Sequence, residues 1–157
     1  MTQGHIEREL SIDAPIDVVW ATITEPEQIN EWWTDTAQID LHPGGDGRLG
    51  WVSRATNEPM TVPLRVERFE PPHHFSFRWC HPDAAAPTDA NSLLVEFSLT
   101  SDGQGTRLRL VESGFDTREW TAAERDAELA KHEDGWTRHL ATLRQHAASV
   151  AVGAEVR

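Results

Sequence analysis

Four kinds of side chain in this sequence could do chemistry: one carboxylate in a strand pattern, regularly spaced histidines, a single cysteine and many indoles. Glu112 follows Leu108 and Leu110 at intervals of two in the run Arg107-Leu108-Arg109-Leu110-Val111-Glu112. Successive strand residues point to opposite faces, so two inward leucines carry Glu112 inward unless a bulge intervenes. A carboxylate there must find partners or take up a proton, because burying it charged and alone is costly. It could anchor a polar group of a ligand or serve as an acid/base. The alternative is a strand-end carboxylate in solvent or paired with an arginine.

His132, His139 and His146 recur at every seventh residue. Successive members would stand ~10.5 Å apart along a helix, too far to share one metal ion. The i, i+4 pairing of zinc-binding helices is missing. The stripe reads as a solvated flank, with His132 as a second group beside Glu112 if the protein is an enzyme. His73-His74 in a turn and His81-Pro82-Asp83 in a loop come with no set of co-ligands, so no metal is expected. Cys80 alternates outward without a histidine partner, which argues against a thiol nucleophile. Pro43-Gly44-Gly45-Asp46-Gly47 opens no helix and brings no phosphate-binding lysine, so no nucleotide cofactor is expected, nor any other.

The indoles are the other resource. Seven Trp and five Phe stand in 157 residues without a Tyr. Trp33, Trp51, Phe77, Trp79, Phe97, Leu110, Trp136 and Leu140 are expected, with Glu112, to line a ligand pocket. For the aromatics, plain core packing is the competing reading; Trp20 and Trp32 read as helix-anchoring core. Gly135, next to Trp136 in mid-helix, costs ~1 kcal/mol relative to alanine. It suits either a strand side chain packed close to the helix or a ligand lying there.

The elements that must hold these groups follow from periodicity. His5 to Ile12 alternates as a strand, and Pro15 opens a helix carrying Ile16, Val19, Trp20 and Ile23. Thr24 to Glu27 reads as a capping box starting a second short helix with Ile29, Trp32 and Trp33. From Ala37 to Ser113 the period is two, broken by turn signals at 42–47, 71–72 and 101–105 and by a loop over 82–91. With Leu49 to Trp51 and Val62 to Val66 as separate runs, this gives six strands in antiparallel succession. Thr121 and Glu124 form another capping box ahead of a helix expected over 121–148, about 40 Å long. Residues 1–149 are read as one domain and 150–157 as a frayed tail.

Composition sets the outer bounds. Fourteen basic residues against 26 acidic ones leave a formal charge of −12, the wrong sign for gripping nucleic acid or anionic lipid. One cysteine excludes an internal disulfide. No apolar run reaches the ~20 residues of a membrane span, and the N-terminus lacks a basic head followed by an apolar stretch. A cytoplasmic protein without membrane insertion is expected.

In this order, Ala14-Pro15 to Val19-Trp20, Trp32-Trp33, Pro43-Gly44-Gly45, Glu70-Pro71-Pro72, Gly105-Thr106-Arg107-Leu108, Glu112-Ser113-Gly114-Phe115, and His132 with Gly135-Trp136 and Leu140 resemble a known family. It is the START-like domain family named after the activator of the heat-shock-protein-90 ATPase, and the match runs from about residue 5 to 147. The resemblance implies an α+β helix-grip fold, with a curved antiparallel sheet of about seven strands wrapped around a long C-terminal helix. It implies a cavity between the two for a small apolar, aromatic or amphipathic ligand, and pairing as a homodimer. It fixes no single reaction: a hydrolase or cyclase using Glu112 and a chaperone-accessory interaction module stay beside the ligand-binding reading. The first strand begins near residue 5, so the chaperone-binding domain that precedes this one in the eukaryotic activator is expected to be missing.

Overall fold

A computed structural model describes residues 4–80, 86–116 and 120–156. Seven strands form one curved antiparallel sheet in the order β1-β7-β6-β5-β4-β3-β2. They are β1 His5–Ile12, β2 Thr36–Ile39, β3 Asp46–Val52, β4 Pro59–Glu70, β5 His74–Cys80, β6 Ser92–Asp102 and β7 Gly105–Ser113. Each of β3 to β7 pairs with its predecessor, as a meander must, and β1 closes onto β7. The β6–β7 connection turns on Gly103, whose φ of +63° belongs to the left-handed region that glycine enters without steric cost. A register shift between Val66 and Arg68 interrupts the β4–β5 ladder, so alternation fails there by one residue.

Between β1 and β2 lie α1 Ile16–Thr24 and α2 Pro26–Trp32. The capping box expected at Thr24 does not form. Thr24 is buried and its hydroxyl donates to the Trp20 carbonyl at 2.7 Å, prolonging α1. Glu25 then caps α2 through its backbone, with Pro26 at the first helical position, where its missing N–H costs nothing. The second box does form: the Thr121 N–H donates to Glu124 Oε1 and the Glu124 N–H to Thr121 Oγ1, both at 3.1 Å.

That box opens α3, Ala122–Val156. The helix is longer than expected and takes in most of the segment read as a frayed tail. Ala147 and Ala151 explain the difference, since both are buried and continue the packed face past residue 148. Alanine also carries the highest helix propensity. Trp136, Leu140, Leu143 and Ala147 of α3 share one core with Phe77, Val95, Phe97, Leu108 and Leu110 of the sheet. Arg8 of β1 reaches Glu133 at 3.5 Å, and Gln28 of α2 meets His146 at 2.7 Å, so α3 is tied to both ends of the first motif. Among the described residues no helix is long and apolar enough to cross a membrane.

Candidate functional site

The register of the β6–β7 ladder places Val95 opposite Glu112 and Phe97 opposite Leu110, so Glu112 shares the inner face with the leucines. It has no exposed surface. Its carboxylate accepts three hydrogen bonds: Trp79 Nε1 donates to Oε2 at 2.8 Å, and Trp136 Nε1 and His132 Nδ1 approach Oε1 at 2.9 and 2.8 Å. An ionised carboxylate only accepts, so it holds the His132 proton on Nδ1. The other ring nitrogen, Nε2, lies 3.4 Å from Glu128 Oε2 one turn earlier on α3.

Trp33, at the end of α2, is the hub of the aromatic cluster. Its ring centroid lies 5.1 Å from Trp136, 5.3 Å from Trp79, 5.6 Å from Trp32 and 5.8 Å from Trp51. Trp51 Nε1 donates to the Trp33 carbonyl at 2.9 Å and Trp32 Nε1 to the Thr22 carbonyl at 2.8 Å. Buried indoles keep their N–H groups satisfied in this way. The N–H groups of Trp51, Trp79 and Trp136 are all engaged by the protein itself.

Between this cluster and α3 lies a cavity of about 540 Å³, within the range that takes drug-sized compounds. Of the residues expected to line a pocket, Trp33, Trp51, Trp79 and Trp136 border it. Phe77, Phe97, Leu110 and Leu140 do not; they are core. Phe97 and Leu110 face each other at mid-sheet, where α3 covers them, and Trp136 packs edge-on to Phe97 at 6.3 Å. Glu112 does not border the cavity either, because its three donors enclose it, so it reaches a ligand only through His132.

Two further readings are corrected. The histidine stripe is no solvated flank: His132 sits under Glu112, His139 borders the cavity against the Trp32 backbone, and His146 meets Gln28. A seven-residue spacing returns to nearly the same face of a helix, and that face is packed. Cys80 is buried at the end of β5 among the cavity-lining residues. At Gly135, the nearest atom an added Cβ would meet is His139 Cδ2 at 3.9 Å. No strand side chain packs there, and the glycine faces the cavity. His81 and Asp83 lie outside the described residues.

The Activator of Hsp90 ATPase homolog 1-like protein family model matches residues 13–148. The chain belongs to this family. A protein of Streptomyces cyaneus named "Putative polyketide cyclase" is 26% identical over 115 residues, covering 64% of this chain and 66% of that protein. The chain thus spans just under two thirds of that relative. A crystal structure of a Nitrosomonas europaea protein superposes with a TM-score of 0.77 at 15% identity, covering 95% of this chain and 97% of that one. CalU16 from Micromonospora echinospora gives 0.66 at 25% identity, with 89% and 71% covered. These likenesses bear out the helix-grip fold.

Within this member of the family, sequence reasoning missed Met60, Val62, Leu93, Trp120, Glu128, Lys131 and Arg138, all of which border the cavity. Glu128, His132, Gly135, Trp136 and His139 follow i, i+3, i+4 helical spacing, a signal that was readable once one member was placed. Trp120 precedes α3 and carries no such signal.

The dyad gives stability a pH dependence. Burial pushes the His132 imidazole pKa down. The hydrogen bond and charge of Glu112, followed by the charge of Glu128, outweigh burial and the opposing charge of Lys131, so the pKa stands above the usual 6.5. The other elements packed on the ring present Trp79 and Phe115, which do not titrate here. A raised folded-state pKa contributes stability that is fully present below about 6.5 and is lost as pH rises through the folded value. Urea unfolding at successive pH values is expected to show this decline above 6.5, and Glu112→Gln is expected to flatten it. A decline unchanged in the variant would assign it to another group.

Proposed function

We propose that this protein binds a small apolar or aromatic compound in the cavity between the sheet and α3. The observation that carries this reading is the cavity wall. Five tryptophans border it, those at 51, 79 and 136 with their N–H groups turned to protein acceptors, and Gly135 leaves the opposite wall open. Such a wall offers ring faces on which an aromatic compound can stack. Family membership supports it, since helix-grip domains generally hold ligands.

N-phenyl-1-naphthylamine, an uncharged fluorescent aromatic, tests the proposal. Titration is expected to quench tryptophan emission with saturation at one dye per chain. Gly135→Leu, whose side chain would enter the cavity, is expected to abolish binding. Gly135→Ala is expected to raise stability by roughly 0.5–1 kcal/mol, as the mid-helix glycine penalty is removed and the added methyl meets open space. Saturable binding unaffected by Gly135→Leu would place the dye elsewhere and sink the proposal.

A second reading is acid/base catalysis on the bound compound. The Glu112–His132 pair favours it, because a carboxylate that fixes one imidazole nitrogen leaves the other to exchange a proton with a substrate. The name of the Streptomyces cyaneus relative points the same way. Here Glu112 is a positioning residue and His132 the group that meets the substrate.

A further inference from the structure

The cavity has two unlike walls. The sheet side presents Trp51, Met60, Val62, Trp79 and Leu93, while the α3 side presents Glu128, Lys131, His132, Arg138 and His139. With Gly135 and Trp136, seven α3 residues border the cavity, and four of the seven carry basic nitrogens, in a chain whose formal charge is −12. The single carboxylate among them, Glu128, is placed informatively. Its Oε2 lies 3.4 Å from His132 Nε2, on the ring edge opposite Glu112, and its side chain keeps 35% of its surface exposed. A half-exposed helix glutamate of this kind can swing into solvent at little cost, since such contacts contribute little. His132 cannot swing, because Glu112 holds it from behind at 2.8 Å.

We propose that the cavity is selective for amphipathic aromatic anions, whose carboxylate, sulfonate or phenolate group replaces the Glu128 carboxylate at His132 Nε2. The ring system lies on the tryptophans of the sheet wall and the charged end turns to the helix wall. Glu128 acts as an internal stand-in for the ligand's anionic group. It satisfies His132 in the empty site and must be displaced on binding. Lys131 and Arg138 border the same wall and add to the positive field there. Arg138 also contacts Asp134 at 3.3 Å, between two largely exposed side chains. This inference rests on the cavity being the ligand site.

A matched pair of dyes separates the two claims in the full chain: 1-anilinonaphthalene-8-sulfonate and its uncharged parent, N-phenyl-1-naphthylamine. The sulfonate is expected to bind more tightly than the parent. His132→Gln is expected to weaken the sulfonate about tenfold more than it weakens the parent. Glu128→Gln, a substitution on a half-exposed helix surface, is expected to tighten the sulfonate by about two- to fivefold, because the competing carboxylate is gone. A merely structural role for Glu128 would not produce a gain for one dye alone. If the parent binds as tightly as the sulfonate and Glu128→Gln moves both equally or neither, anion selectivity is overturned while the cavity stands as a ligand site. If neither dye binds, the ligand-binding reading fails, and this inference with it.

Discussion

Replacing Glu112 by Ala is expected to lower the unfolding free energy by about 3–5 kcal/mol, the range for removing one partner from a buried ionic pair. The physical reason is the fate of the groups left behind. Trp79 Nε1, Trp136 Nε1 and the His132 ring all lose one shared acceptor, at a position with no exposed surface. Each then carries its own desolvation cost. Glu112→Gln keeps the shape and one accepting oxygen. Its amide nitrogen, however, must face a donor on one side, so it is expected to fold with a smaller loss of about 1–3 kcal/mol. Urea unfolding at neutral pH measures both. A loss below about 1 kcal/mol in Glu112→Ala would show that the three donors find other partners.

Trp136→Ala is expected to cost about 3–5 kcal/mol as well, for a different reason. Trp136 is 3% exposed and packs on Trp33 and Phe97, so its removal opens a hole at the join of helix and sheet. Trp136→Phe retains most of the ring contact and loses only the indole donor, at about 1 kcal/mol. Because Glu112 and Trp136 share one hydrogen bond, the Glu112→Ala, Trp136→Ala double variant is expected to lose less than the sum of the two single losses. Strict additivity would place the two residues in separate networks.

Much of this arrangement is legible in the sequence, and the residues show why. Strand phase is a strict rule of two, so Leu108 and Leu110 fix the face of Glu112 before any partner is known. Turn residues cut the run from Ala37 to Ser113 into the six strands found. The Thr121–Glu124 box marks the start of α3 to within one residue. What the sequence does not carry is how far α3 covers the sheet. Phe97 and Leu110 share their face with Trp79, yet the helix lies over the first two and leaves the third at a cavity. Nor does spacing along a strand reveal that Trp79, Trp136 and His132 converge on one carboxylate from two strands' distance and from a helix. Glu112 therefore reads as a ligand anchor in the sequence and is a brace for His132 in the fold. The packed histidine stripe fails for a related reason: a seven-residue repeat states that the three rings share a face, not whether that face meets solvent.

Ligand binding in the tryptophan-walled cavity is the central claim, and intermolecular nuclear Overhauser effects test it most directly. With N-phenyl-1-naphthylamine at saturation, contacts are predicted from the dye to the indole protons of Trp51, Trp79 and Trp136 and to the α-protons of Gly135. Contacts confined to the exposed Val150 and Val152 of α3, or no contacts from a saturated sample, would contradict it.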